Sequence, residues 1–216
     1  MKNILLIGLG RFGRYTAMKL RELGHQVMAI DKDETKVDAA VSYVTNAMIG
    51  DSTNPDFLDT LGIENFDICV VGIGDDFQSS LETTVLLKER GAKYIVARAS
   101  KDVQQKLLRN NGADVVLYLE KMVAESSALC YSSNHILDYI AVSEDHAVYE
   151  ITPPEAWLGK SLTELNIRRR YQVNVIAVKQ DGALSLDISP DAPIAEGQTL
   201  LVIAREEDML RCTEQE

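Results

Sequence analysis

Ile4-Leu5-Leu6-Ile7-Gly8-Leu9-Gly10-Arg11-Phe12-Gly13 joins an apolar run to a turn with glycine at its first, third and sixth positions, and Asp31 closes the next apolar run, Gln26 to Ile30. A strand feeding a Gly-x-Gly-x-x-Gly turn into a helix, with an acidic residue about 20 positions on, is the arrangement that cradles a nucleotide diphosphate. The three glycines have separate roles. Gly8 permits the tight turn, Gly10 lets the backbone approach a diphosphate, and Gly13 lets the helix pack on the sheet. Phosphate oxygens then meet the free N–H groups and the positive dipole end of that helix. A carboxylate at Asp31, with Lys32 and Asp33 beside it, can accept hydrogen bonds from a ribose diol and repels a 2'-phosphate, which disfavours NADP. Glycines alone would serve packing equally well; the strand before them, the helix after them and the acidic residue make the turn a nucleotide site.

Apolar runs recur outward from this turn: Asn3 to Gly8, Gln26 to Asp31, Ala47 to Gly50, Asp67 to Ile73, Tyr94 to Ala97 and Asp114 to Leu119. Near-continuous apolar strands with helical segments between them predict a parallel sheet covered on both faces, an α/β doubly wound fold. The first helix is expected to bury Gly13, Thr16, Ala17, Leu20 and Leu23 and to end at Gly24. A helix from Phe77 to Arg90 is expected to bury Leu81, Thr84, Val85 and Lys88 and to end at Gly91, and Pro55 opens a short helix. Beyond Tyr131 the pattern changes. Ala147 to Ile151 alternates, Leu162 to Arg169 reads as a helix, and Val173 to Val178 leads through Asp181-Gly182 into Ala183 to Ile188 as a hairpin. Leu200 to Ala204 is a last strand and Glu206 to Cys212 a terminal helix. The expected organisation is a nucleotide-binding domain over 1–120, a helical connector over 121–134 and a small, strand-poor α+β domain over 135–216.

Composition narrows the function. The 216 residues are 46% hydrophobic and carry a net charge of -11, which argues against nucleic acid, since phosphate-backbone binding needs a basic face. No run approaches the roughly 18 apolar residues of a membrane span, and Met1-Lys2-Asn3 leads straight into a strand with no room for a signal peptide; a cytoplasmic chain is expected. Cys69, Cys130 and Cys212 have no zinc or disulfide spacing, and Cys69 reads as a core residue. His25, His135 and His146 lie in no metal-ligand pattern, and Arg168-Arg169-Arg170 reads as a solvated helix end, with a contact to an acidic partner as the alternative.

The whole chain resembles the RCK (regulator of conductance of potassium) or TrkA-type regulators of Ktr and Trk potassium uptake systems. The first half carries Gly8-Leu9-Gly10-Arg11-Phe12-Gly13, Gly50-Asp51-Ser52-Thr53, Val96-Ala97-Arg98-Ala99 and Leu119-Glu120-Lys121. The second carries Leu158-Gly159-Lys160-Ser161-Leu162, Val173-Asn174-Val175-Ile176-Ala177-Val178 and Gly197-Gln198-Thr199-Leu200-Leu201-Val202. The resemblance implies homodimers assembled into an octameric ring beneath a separate membrane-embedded potassium-translocating subunit, peripheral to the membrane through that partner. It implies ATP or ADP as the ligand, with NADH or NAD in some Trk-type relatives, and leaves open a second messenger such as cyclic di-AMP on the C-terminal domain.

Site residues carry over by motif. Arg11, beside Phe12, places a guanidinium on nucleotide phosphates, where its fork of donors is well suited; a solvent-facing role remains the alternative. Asp31, Lys32 and Asp33 surround the ribose. Asp51 and Ser52 either meet the base side or cap a helix. Ile73, Gly74 and Asp75 end the fourth strand, where doubly wound sheets bind ligands. Arg98, with Ala99 and Ser100, supplies a second cation, and Gln104 stands where some relatives have histidine. Glu120 matches a glutamate that helps hold a divalent cation, Mg2+ or Ca2+, at the terminal phosphate near the junction of two subunits; a favourable charge in a helix's first turn is the other reading. Two rivals stand beside the regulator. An NAD-dependent oxidoreductase needs a substrate pocket and a proton-transfer group, and a nucleotide-sensing transcription factor needs a DNA-reading helix pair; the sequence offers neither.

Overall fold

Alternate residues of the first strand, β1 (Asn3–Ile7), serve two different cores. Leu5 and Ile7 pack with Val71, Ile95 and Leu108, whereas Ile4 and Leu6 pack with Val27, Ala29 and Val70. This is the period of two read across a sheet buried on both faces, and each such side chain contributes about 1.5–3 kcal/mol on burial. The computed structural model describes residues 1–143 and 145–213, so Glu144 and residues 214–216 of the expected C-terminal domain lie outside the described residues. Contacts divide the chain into two units, Met1–Glu120 and Lys121–Glu216.

In the first unit β1, β2 (Gln26–Asp31), β3 (Asn46–Ile49), β4 (Ile68–Val71), β5 (Ile95–Arg98) and β6 (Val115–Leu117) form one parallel sheet in the order β3-β2-β1-β4-β5-β6. Between them run α1 (Arg11–Glu22), α2 (Glu34–Ala40), α3 (Pro55–Asp59), α4 (Phe77–Glu89) and α5 (Asp102–Asn110). The strand order reverses between β1 and β4, so the loops leaving those two strands diverge and open a crevice at the sheet's carboxyl edge.

Two expectations about helix faces are corrected. Leu23 is 60% exposed because it is the C-cap of α1, where the helical period ends before Gly24 turns left-handed. The buried face of α4 is Ser80, Thr83, Thr84 and Leu87, one step round from the expected set, and Lys88 is exposed. Small hydroxyl residues let that helix lie close to the sheet while Thr84 satisfies its hydroxyl on the Ser80 carbonyl at 2.8 Å.

The second unit holds most of α6 (Leu119–Ser132), whose Leu129 and Cys130 pack against this unit's core. It is not strand-poor. Strands β7 (Ile136–Ala141), β8 (Ala147–Ile151), β9 (Asn174–Gln180), β10 (Ala183–Ser185) and β11 (Thr199–Ala204) form a five-stranded antiparallel sheet in the order β10-β9-β11-β8-β7. Its core centres on Tyr149, Ile151, Trp157, Leu200, Val202 and Met209. The expected helix Leu162 to Arg169 is two, α7 (Leu162–Leu165) and α8 (Ile167–Tyr171), broken at Asn166 with φ 49°. The terminal helix α9 spans Glu206–Thr213.

Candidate functional site

The crevice is shaped by its glycines. Gly8 has φ +94°, and a Cβ there would lie 3.0 Å from Gly72 C and Ile73 N, so β1 and β4 meet at a spacing that no side chain fits. A Cβ on Gly13 would collide with the Gly8 carbonyl, which seats α1 directly on the turn. Gly10 differs: it has φ -63° and ψ -176°, and beyond its chain neighbours no heavy atom lies within 4 Å of its would-be Cβ. Gly10 leads directly into α1, which has no side-chain cap and no acidic residue in its first turn. Its leading N–H groups and dipole are therefore available to an anion.

Asp31 is only 8% exposed. Its Oδ2 accepts the Leu9 N–H at 2.7 Å and its Oδ1 accepts the Asp33 N–H at 3.0 Å. The carboxylate thus holds the glycine turn against the end of β2 and keeps a further lone pair on each oxygen. Asp33 is the N-cap of α2, accepting from Thr35 N at 3.0 Å, and Lys36 Nζ lies 3.8 Å from both Asp31 and Asp33 carboxylates. Lys32 is exposed at the rim.

Gly8, Gly10, Asp31, Lys32, Asp51 and Ser52 line one cleft together with Ile73, Gly74 and Asp75 from the end of β4. Asp51 Oδ1 accepts from Thr53 N at 2.9 Å and from Thr53 Oγ1 at 2.7 Å, and these bonds hold its carboxyl below the ordinary value of 3.8. Ser52 is buried, its hydroxyl 2.7 Å from Thr83 Oγ1. Neither caps a helix. Asn54 caps α3, accepting from Asp56 N at 3.0 Å, so the capping alternative for Asp51 and Ser52 is corrected. Lys36, Gly72, Asp76 and Ser79 also line the cleft and were missed. Asp76 caps α4 through Ser79 N at 3.1 Å, and the Asp-x-x-Ser spacing before an apolar helix was the available signal.

Arg11, Phe12, Arg98 and Glu120 line an adjacent cleft with Tyr15 and Leu119. Arg98 Nη2 donates to Glu120 Oε1, and the Glu120 carboxyl lies below the usual range. Its own main-chain N–H is the main cause, with the Arg98 bond and the charges of Arg98 and Arg11 adding to it. Ala99 is buried in the core, and Ser100 N donates to Gln104 Oε1 at 2.9 Å, closing the loop before α5. Ala99, Ser100 and Gln104 line neither of these clefts.

A doubly wound sheet with a glycine turn and an acidic strand end at its reversal point defines a Rossmann-like domain, followed here by an antiparallel α+β unit. The TrkA-N domain matches residues 4–119 and the TrkA-C domain residues 146–214, and the chain belongs to this TrkA family of potassium uptake proteins. It is 37% identical to the Ktr system potassium uptake protein C of Bacillus subtilis over 97% of this chain and 95% of that protein. Identity to the Ktr system potassium uptake protein A of the same organism is 35%, with the same coverage. Among solved structures, the GsuK channel bound to NAD superposes with a TM-score of 0.70 at 18% identity, covering 98% of this chain and 38% of that one. The GsuK RCK domain gives 0.69 at 18% identity over 98% of this chain and 47% of that one, so the chain spans less than half the length of either structure. Among the described residues no helix is long and apolar enough to cross a membrane.

Proposed function

We propose that this chain is a nucleotide-binding regulatory subunit of a potassium uptake system, not an enzyme, and that it reads adenosine phosphates. The observation that carries the reading is the glycine turn at the uncapped start of α1, with Gly10 lining the cleft, in a chain 37% identical to a Ktr protein over nearly its full length. A diphosphate fits that cradle: the turn N–H groups and Arg11 would hold the phosphates, Asp31, Lys32 and Asp33 the ribose, and Asp51 and Ser52 the base side. Ile73, Gly74 and Asp75 form the opposite wall. The domain roles follow: 1–120 binds nucleotide, 121–134 connects, and 135–216 is the TrkA-C-like part.

Regulation requires a nucleotide to bind two conformations of the assembly with different affinity. The assembly proposed is a homodimer extended to an octameric ring, peripheral at the inner membrane face through a potassium-translocating subunit. NAD or NADH is the second reading, favoured by the dinucleotide spacing of the glycines.

Melting of the full chain with ATP, ADP and NADH tests the proposal. A bound nucleotide raises stability by mass action, about 2.7 kcal/mol at a hundredfold excess over its dissociation constant. No shift with any of the three contradicts the reading, and hydride transfer to a carbonyl substrate would restore the enzyme.

A further inference from the structure

Lys36 is the third residue of α2, in the turn that Asp33 caps, and its main-chain N–H donates to the Asp33 carbonyl at 3.1 Å. A cation in a helix's first turn opposes the helix dipole, so the helix itself gives no reason for lysine here. The side chain turns instead to the cleft, which it lines with Asp31, Lys32 and Asp51. Its Nζ lies 3.8 Å from Asp31 Oδ2 and 3.8 Å from Asp33 Oδ2. Both distances exceed a hydrogen bond, so neither carboxylate takes up any of the ammonium's three donors.

The same separation is short enough for one oxygen to bridge: an oxygen about 2.7 Å from the carboxylate can lie about 2.9 Å from the ammonium at the same time. Water can make such a bridge, but a ribose brings oxygens with stricter needs. Each hydroxyl of its diol has one hydrogen to give and two lone pairs to fill. The Asp31 carboxylate is held by Leu9 N and Asp33 N, is only 8% exposed and can only accept. Asp31 alone would take the hydroxyl's hydrogen and leave its lone pairs without a donor. Lys36 is the donor within reach of the same oxygen, whereas the charge of Lys32 falls on Asp51 and Asp76, towards the base side.

We propose that Lys36 is a specificity residue of the nucleotide site: with Asp31 it reads one ribose hydroxyl as donor and acceptor at once, so that the chain selects ribonucleotides over deoxyribonucleotides. The inference rests on the nucleotide reading given above and adds a ligand contact that the acidic strand end cannot supply. A site that hydrogen-bonds a hydroxyl rejects the analogue lacking it, because its own groups are then left unpaired. The Lys36 side chain is 47% exposed, so water can replace the missing hydroxyl. The selection is therefore about tenfold, not the roughly ten-thousandfold of a sealed site.

Calorimetric titration of the full chain with ADP, 2'-deoxy-ADP and 3'-deoxy-ADP tests this. At least one deoxy analogue should bind the wild type about tenfold more weakly than ADP, the scale of one hydrogen bond to a charged group. Lys36→Met keeps the apolar stem and removes the donor, and should weaken ADP to about the level of that analogue. The analogue's own affinity should change by less than about threefold, the scale of a screened surface charge, so the preference disappears. Lys36→Arg, which restores a cationic donor and guards against a folding defect, should recover part of the preference. Equal wild-type affinity for all three ligands, a preference that Lys36→Met leaves unchanged, or a loss that falls on all three alike overturns the proposal while leaving nucleotide binding intact. Absence of ADP binding to the wild type overturns the nucleotide reading itself, and the proposal with it.

Discussion

Asp31 Oδ2 accepts the main-chain N–H of Leu9 at 2.7 Å, tying the end of β2 to the turn after β1. An acidic residue at this position is ordinarily read only through the ribose it meets, but here it also builds the loop. Asp31→Ala leaves a buried N–H without an acceptor and should cost about 1–3 kcal/mol in denaturant unfolding. Asp31→Asn, which keeps one acceptor oxygen, should cost less. Both should lower nucleotide affinity, and equal stability of the two variants would contradict the role assigned to Leu9.

Gly10 and Gly13 separate binding from folding. Gly10→Ala meets no heavy atom within 4 Å beyond its chain neighbours and has a backbone that alanine adopts, so the entropic gain offsets the weaker N-cap of α1 and stability should change by no more than about 1 kcal/mol. The same change fills the phosphate space and should abolish the nucleotide-induced melting shift. Gly13→Ala collides with the Gly8 carbonyl and should destabilise the free protein by about 1–3 kcal/mol. Chemical unfolding of both variants, with and without ADP, makes the comparison.

The hydroxyls of Ser52 and Thr83 satisfy each other at 2.7 Å, both buried. Ser52→Ala strands Thr83 and should cost about 1–3 kcal/mol, whereas Ser52→Ala with Thr83→Val removes both groups and should cost less than the sum of the single changes. A double-mutant cycle on unfolding free energies gives the coupling; strict additivity would remove it.

Acid should destabilise the protein in a defined direction. Hydrogen bonds from Thr53 lower Asp51, those from Ser79 lower Asp76, and those from Ser161 lower Glu164. At Glu150 the opposing push of burial is outweighed by Thr199 and Lys179. A depressed folded-state pKa means that the unfolded chain binds more protons as pH falls. The stability these groups contribute is complete above the ordinary values of 3.8 for Asp and 4.5 for Glu, and is lost as pH drops through the lower folded values. As far as these groups govern it, the urea midpoint should therefore hold steady from neutral pH down to about pH 5 and decline below it.

Burial pushes Cys69 and Cys212 up to about 12, and both are inaccessible. Thiol reagent at mildly alkaline pH should leave them unmodified until the chain unfolds, with the half-buried Cys130 reacting first. Rapid native labelling of Cys69 would contradict its place in the core.

Much of the first unit was legible because its causes are local. Near-continuous apolar runs separated by helical segments marked the strands, and the turn Gly8 to Gly13 with Asp31 marked the crevice. The second unit was harder. Strand β7 escaped because its register shifts between Ile136 and Asp138, which leaves Leu137 exposed and spoils the alternation. The break at Asn166 had only a weak signal, since asparagine enters the left-handed region more readily than other side chains but does so only where its surroundings call for it. At the site, sequence placed Arg98 and Glu120 as separate contacts. Their pairing over Gly74 depends on three strand ends converging, and no spacing along the chain encodes that.

Whether this chain gates potassium uptake by reading a nucleotide is decided by rubidium flux through the cognate potassium-translocating subunit in sealed vesicles, with this chain added and ATP exchanged for ADP. Flux should depend on the chain and change when the nucleotide is exchanged, and Gly10→Ala should remove this response. Flux indifferent to the nucleotide, with the chain bound to its partner, would contradict a nucleotide-gated regulator.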